Sequence, residues 1–292
     1  MSAQSCSPAV PPESATASSA VVTQVRKLAQ ETWAVRIRCP ELAATILPGQ
    51  FLMIRPANGS DPLLGRPFAL FDTCPSDTST PEELEFGFVR IGKLTGQMSL
   101  WQPGQIVSVW GPLGNGFPVP DCQRLICVAG GIGQTPFLAV AREALGHAAY
   151  GSPQRACKSR PEVTLCYGVR SAGYLAGLRE FSMPGLLVRT ATDDGSAGHH
   201  GLVTDLLLQE LKNAPADTHV YCCGPEPMMH AVGKICLAQS RPCWLSLETP
   251  MACGFGACFS CVTEVRQDDG TWDYRRTCVE GPVFRAEQLI SG

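Results

Sequence analysis

Near its C-terminus the chain reads Cys253-Gly-Phe-Gly-Ala-Cys258-Phe-Ser-Cys261, and Cys278 follows after sixteen intervening residues. Four thiols in this spacing must be brought to one place, which restricts the fold more than any other stretch. C-x4-C-x2-C with a distant fourth cysteine is the plant-type spacing for a [2Fe-2S] cluster, in which four thiolates hold two irons. Gly254 and Gly256 supply the backbone angles that a loop aiming three sulfurs at one point requires. Their missing side chains also let backbone N–H groups approach the sulfurs. The alternative is a structural zinc site, which usually repeats short C-x2-C knuckles and seldom uses a four-residue gap. The spacing favours iron–sulfur over zinc. On either reading Cys253, Cys258, Cys261 and Cys278 are the metal ligands.

A length of 292 residues allows two or three domains, and an apolar fraction of 45% is that of a chain with a proper core. No apolar run reaches the roughly 18 residues that a membrane span needs. A net charge of −3 gives no reason to expect nucleic acid. The 15 cysteines are odd in number and scattered, unlike a disulfide framework. Cys127, Cys166, Cys222 and Cys236 sit in apolar segments where a free thiol packs as a small hydrophobe. A reducing cytoplasm fits this usage, so a cytoplasmic protein with no membrane segment is expected. Met1 to Ala20 is rich in Ser, Ala, Pro and Thr, with neither the basic start nor the apolar centre of a secretory signal. Residues 1–20 therefore read as a disordered extension, and the fold is expected to begin near Val21.

Residues 21–119 carry short runs of β-branched and aromatic residues: Val21–Leu28, Trp33–Arg38, Phe51–Arg55, Phe68–Phe71, Leu84–Ile91 and Ile106–Trp110. Pro48-Gly49, Asn58-Gly59 and Pro103-Gly104 punctuate them. Such spacing predicts a small antiparallel barrel. Arg66-Pro67-Phe68-Ala69-Leu70 and the glycine-rich segment Gly111 to Phe117 stand out. Taken alone, the first is more often a structural turn and the second a linker.

Residues 120–241 change in texture. Leu125–Ala129 is a continuous apolar strand, followed by Gly130-Gly131-Ile132-Gly133-Gln134-Thr135-Pro136 and an apolar helix to about Leu145. Thr135 can cap that helix and Pro136 suits its first turn. A glycine turn between strand and helix, here Gly130, Gly131, Gly133 and Thr135, presents free N–H groups where a pyrophosphate can sit. Strands then alternate with helices: Val163–Tyr167, a short helix over Gly173–Phe181, Leu186–Thr190, a helix over Thr204–Lys212, His219–Cys222, and a helix over Pro227–Gln239. This alternation builds a parallel sheet whose ligands bind at the carboxyl ends of the strands. The turns at Arg170, at Asp194 and at Cys223-Gly224-Pro225 all lie at such ends. Cys223 is either a small residue before a turn or a catalytic neighbour of a nicotinamide. Asp193 and Asp194 are most often plain turn residues, with a ribose contact as the alternative. His199 and His200 belong to a solvated loop, and Arg275 and Arg276 to a solvated edge that could face a partner. Residues 242–292 are read as a small cluster domain.

Taken in order, these motifs resemble the ferredoxin–NADP reductase superfamily, and within it the electron-transfer subunits of NAD-dependent dihydroorotate dehydrogenase of the B type. The likeness runs from about Val21 to Phe284. It rests on Arg66-Pro67-Phe68-Ala69, Gly111 to Phe117, Gly130 to Pro136, Asp194-Gly195-Ser196, Cys223-Gly224-Pro225, Ser246 to Cys253, and Cys278-Val-Glu-Gly-Pro-Val-Phe284. The resemblance implies three units: an antiparallel FAD-binding β-barrel, a parallel α/β domain for NAD, and a small C-terminal [2Fe-2S] domain. It implies that Arg66 contacts the FAD phosphates, with Pro67, Phe68 and Ala69 in the same motif. Phe88, Val89, Arg90, Gly92, Leu94 and Thr95 would flank the same cofactor. Ala69 stands where the family commonly has Ser, and Leu94-Thr95 where it commonly has Gly-Thr. The implied partner is an FMN-containing catalytic subunit that oxidises dihydroorotate to orotate in pyrimidine biosynthesis, within a heterotetramer and with NAD+ as final acceptor. Two rivals stay open at this point: a stand-alone NAD(P)H reductase for another acceptor, since Arg170 and Ser171 could take a 2′-phosphate, and a non-catalytic zinc module.

Overall fold

The computed structural model describes residues 15–59, 61–75, 80–155 and 157–289. Residues 1–14 of the expected extension lie outside them. The barrel is built from β1 (Thr16–Ala29), β2 (Thr32–Arg38), β3 (Phe51–Pro56), β4 (Arg66–Pro75), β5 (Pro81–Val89) and β6 (Ile106–Leu113), closed in the order β1-β2-β5-β4-β3-β6. Two short helices, α1 (Pro40–Thr45) and α2 (Lys93–Met98), fill its connections. Every pairing is antiparallel. Inward residues such as Val22, Ile37, Leu52, Ile54, Leu84 and Phe86 make one apolar core.

One boundary needs correcting. Residues 16–20 are not an extension but the first part of β1, where Ala17 pairs with Trp110 and Ala20 with Val107. Their small polar side chains carry no strand signal of their own. They are strand because β6 would otherwise leave an open edge, and closing it satisfies its backbone groups.

The second sheet has seven strands in the order β10-β9-β8-β7-β11-β12-β15. These are β7 (Arg124–Gly130), β8 (Glu162–Val169), β9 (Leu186–Thr192), β10 (His199–His200), β11 (Thr218–Cys223), β12 (Cys243–Ser246) and β15 (Val283–Arg285). All neighbours are parallel except β12 and β15. On the central strand β7, Leu125, Cys127 and Ala129 join one core, and Ile126 and Val128 the other. Burial on both faces is why the strand reads as an unbroken apolar run. The helices α3 (Phe137–Leu145), α4 (Val203–Leu211), α5 (Glu226–Ala238) and α6 (Ala286–Leu289) complete the domain. No described helix is long and apolar enough to cross a membrane.

Three local expectations change. Gly173–Phe181 is not a helix: it is one 3-10 turn over Ala172–Tyr174 followed by turns, with Gly177 at φ +71°. Thr135 does not cap α3. A 3-10 turn over Gly131–Gln134 precedes that helix, Pro136 takes the cap position, and the Thr135 hydroxyl donates to the Ile132 carbonyl. The small C-terminal domain beyond residue 241 also shares strands with the large sheet. Apolar β12 and β15 complete the sheet, so only the cysteine loop and the hairpin β13 (Val262–Arg266) with β14 (Trp272–Arg276) stand apart.

Barrel and sheet meet along a polar seam. Asp72 on β4 accepts from the Tyr150 hydroxyl at 2.7 Å and pairs with Arg142 of α3. Arg26 on β1 holds Glu85 with two bonds of 2.8 and 2.9 Å and reaches across to Glu180. The Gln30 N–H donates to the Gly173 carbonyl at 2.8 Å, and Phe71 meets Phe181 edge-on. Past the barrel, Phe117 stacks on Tyr221 with ring centroids 4.8 Å apart. The buried Asn115 amide donates to the carbonyls of Val283 and Glu280, and its oxygen accepts from the Val283 N–H at 3.1 Å. Asn115→Ala removes these three bonds at once. At about 1 kcal/mol each, stability should fall by roughly 2–4 kcal/mol, read as a lower urea midpoint with an unchanged slope.

Candidate functional site

The cysteine loop folds as its glycines suggest, with Gly254 at φ +82° and Gly256 at φ +90°. A Cβ on Gly254 would stand 2.6 Å from Met53 Cγ of β3, so this loop lies directly on the barrel. Cys261 and Cys278 are buried with sulfurs 3.2 Å apart, and the Gly256 backbone hydrogen-bonds the Cys278 sulfur. Cys253 is half-buried and hydrogen-bonds Cys258, which is exposed. Hydrogen bonds from Ser260, then from Cys253, hold the Cys258 thiol down to about 6. Burial, then the neighbouring Cys261, pushes Cys278 up. The sulfurs thus approach as two pairs. Among the described residues no three His, Cys, Asp or Glu side chains gather around a point for a single metal ion. Two pairs of thiols with a glycine-opened backbone beside them suit a two-iron cluster, the donor chemistry such a cluster requires.

The barrel offers a second surface. Arg66 is exposed, donates only to the carbonyls of Leu64 and Gly65, and has no carboxylate partner among the described residues. A guanidinium in this state is available to a phosphate. Phe68 is half-buried and stacks on Phe86 at 5.1 Å, with Phe88 edge-on at 6.1 Å. Pro67 and Ala69 flank it, also half-buried. The rest of the expected set is less uniform. Arg90 is committed to Glu31 through two bonds on the surface, while Val89 beside it is half-buried. Leu94 is buried in the barrel core. The Thr95 hydroxyl accepts from the N–H groups of Ile91 and Gly92, which shapes the turn before α2.

The third surface is the carboxyl edge of the parallel strands. A Cβ on Gly133 would stand 2.3 Å from the Cys223 carbonyl oxygen, and one on Gly130 2.7 Å from Pro225. The two turns therefore pack backbone on backbone, and only glycine permits it. Gly224, at φ +155°, comes within the same contact, whereas Gly131 at φ +56° faces open space. Gly87 of β5 lies 3.3 Å from Thr135 by the same measure, so the barrel abuts this turn. Next to it, the Arg170 carbonyl accepts from the Asp194 N–H, and Asp194 accepts from the Ser196 N–H and hydroxyl. These bonds from Ser196 hold the Asp194 carboxyl below its ordinary range. Arg170 is exposed and without a carboxylate partner among the described residues. His199, in β10, pairs with Asp205.

Several residues that shape the site have no local signature in the sequence. Arg276 donates to the Gly256 carbonyl, grips Glu280 and lies over Phe259, so it braces the loop rather than facing solvent. The Thr277 hydroxyl donates to the Cys261 carbonyl. The Trp110 indole N–H donates to the Cys253 carbonyl at 2.8 Å across 143 residues of chain.

Comparison with known proteins bears on each surface. Residues 248–290 match the iron–sulfur cluster binding domain of dihydroorotate dehydrogenase B, and residues 127–234 an oxidoreductase NAD-binding domain. The electron transfer subunit of dihydroorotate dehydrogenase B (NAD(+)) of Bacillus caldolyticus is 34% identical over 272 residues, covering 92% of this chain and 96% of that one. The chain belongs to the family of dihydroorotate dehydrogenase B electron transfer subunits. A family member from Desulforamulus reducens is 32% identical and covers 93% of this chain and 97% of its own. Among solved structures, an NADH-dependent reduced ferredoxin-NADP oxidoreductase studied for flavin-based electron bifurcation aligns with a TM-score of 0.75 at 26% identity. It covers 92% of this chain and 89% of its own. A ferredoxin NADP+ reductase from Neisseria gonorrhoeae with bound FAD and NADP shares the fold, at a TM-score of 0.59 and 18% identity, covering 76% of this chain and 91% of its own. All four cysteines fall within the family's iron–sulfur domain, which removes the zinc reading.

Cys223 lies at the end of β11, where its thiol is pushed up to about 12, first by burial and then by the Glu248 carboxylate. Burial thus favours its neutral thiol form. NADH-to-dye activity should show no titration step from Cys223 between about pH 6 and 10. Cys223→Ala should rescale that pH profile by no more than about tenfold, the effect of one packing contact, without changing its shape.

Proposed function

We propose that the chain conducts electrons between NAD, on the carboxyl edge of the parallel sheet, and an FMN-containing dihydroorotate dehydrogenase catalytic subunit. The observation that carries this reading is the contact order. The cysteine loop lies on β3 of the barrel through Gly254 and Met53, and β5 of the same barrel abuts the Gly130–Pro136 turn through Gly87. Three binding surfaces thus form one continuous body with the barrel in the middle.

When bound to the barrel, FAD supplies the link between two-electron exchange with a nicotinamide and one-electron exchange with a cluster. Arg66 anchors its phosphates, and Phe68 with its aromatic neighbours offers a face for the ring system. Gly130, Gly131 and Gly133 open the backbone to the dinucleotide phosphates, while Gly224 and Pro225 shape the nicotinamide end. Arg170 and Asp194 border its ribose. Cys253, Cys258, Cys261 and Cys278 hold the [2Fe-2S] cluster. The exposed Cys258 end of the loop, with Phe255 and the 62%-exposed Phe259 beside it, is the surface offered to the catalytic subunit, with which the chain assembles as a heterotetramer. The fourteen described cysteines are all free, which supports a cytoplasmic, reducing setting.

Two experiments test this reading. Arg66→Ala removes a charge-assisted bond of about 1.5–3 kcal/mol, so FAD should dissociate roughly ten- to hundred-fold more readily in a flavin-release titration. Unchanged affinity would refute the anchor. Separately, the isolated chain should pass electrons from NADH to a dye but leave dihydroorotate untouched, because hydride abstraction from a dihydropyrimidine needs a second flavin and an acid–base residue over its ring, both of which this reading assigns to the partner subunit. Adding the FMN subunit should create NAD-linked dihydroorotate oxidation. Cys258→Ser should abolish that coupled activity and the cluster EPR signal while sparing dye reduction. Dihydroorotate oxidation by the lone chain would sink the proposal.

A further inference from the structure

Trp110 is placed where no binding role has been assigned to it. It ends the regular part of β6, opposite Met53 of β3, just before a bulge that sets Gly111 and Pro112 against the single residue Leu52. Bulges re-aim side chains, and here the indole leaves the barrel wall toward the cysteine loop. Its N–H donates to the Cys253 carbonyl at 2.8 Å. The far edge of the same ring covers Gly65: a Cβ there would stand 2.5 Å from the indole. Gly65 directly precedes Arg66, at the start of the strand proposed to carry FAD. The ring also packs against the cluster of Phe51, Met53, Leu113, Cys261 and Cys278. One rigid side chain thus touches the flavin strand on one edge and a cysteine of the loop on the other.

We propose that Trp110 is a positioning residue that fixes the cysteine loop against the flavin-bearing barrel and raises the reduction potential of the cluster; this rests on the cluster assignment made above. The hydrogen bond brings the positive end of the indole N–H dipole onto the Cys253 backbone and polarises the Cys253–Gly254 peptide. A reduced cluster carries one more negative charge than an oxidised one, so such a dipole favours the reduced form. The aromatic plane in addition keeps water from that side of the loop, and with it the screening that would weaken the effect. Gly65 is required on the other edge because any side chain there would displace the ring.

The test is a reductive titration of the cluster followed by EPR, in the full chain with FAD bound. Trp110→Phe keeps the ring and removes the donor; Trp110→His keeps a ring N–H. In the Phe variant the ratio of reduced to oxidised cluster at fixed poise should fall roughly fivefold, as loss of one such bond implies. That equals about 40 mV more negative at 59 mV per decade for a one-electron couple. Iron content, FAD content and NADH-to-dye rate should match the unsubstituted chain, and the His variant should recover part of the shift. A Phe variant that titrates like the unsubstituted chain would overturn the proposal. Loss of the cluster in either variant would overturn it as well. Absence of a cluster in the unsubstituted chain would defeat the cluster assignment itself, and with it this inference.

Discussion

Asn115 holds three parts of the chain at one point. It follows the last barrel strand, and its amide accepts from and donates to Val283 of the last sheet strand while also donating to Glu280, two residues from Cys278. A buried amide is expensive unless its donors and acceptor are matched, and here the matching partners come from backbone 165 and 168 residues away. The barrel, the sheet and the cysteine loop are therefore referred to one fixed junction. Relays that hand single electrons between bound groups need such a reference, since the separation of those groups has to be constant.

A second constraint is orientation between the barrel and the sheet. The seam combines charge with apolar contact: Arg26 bridges Glu85 and Glu180, Asp72 meets Arg142 and Tyr150, and Phe71 meets Phe181. Glu85 and Asp72 are both buried, and burial raises the Asp72 pKa despite the Arg142 charge beside it. Groups of this kind contribute little net stability but tolerate few alternative arrangements, because any rotation would leave a buried carboxylate unpaired. The outcome is that Gly87 of the barrel stays against the glycine turn of the sheet.

Much of the secondary structure was legible because each barrel strand carries alternating β-branched or aromatic residues and each sheet strand an unbroken apolar run. The departures share a cause. The segment after β8 scans as a helix, yet Gly173 and Gly177 make turns cheap, and its backbone is claimed by Gln30 of the barrel. Residues 16–20 have no strand propensity to speak of and are strand because β6 needs a partner. In each case a distant partner outweighed the local preference.

The cysteine spacing, the glycines of the three turns and the strand–helix alternation were sufficient, by themselves, to point to the cofactors, the two domain types and the family. All of these are local features: a thiolate is a ligand wherever the loop brings it, and a glycine opens the backbone whatever lies opposite. Tertiary structure alone decided how the surfaces are joined. Trp110 against Cys253, Arg276 against Gly256 and Asn115 against Val283 are pairs of ordinary residues, far apart in the chain. Their bonds exist only after barrel and sheet have closed, because a hydrogen bond depends on distance and direction in space, and neither is written in residue order.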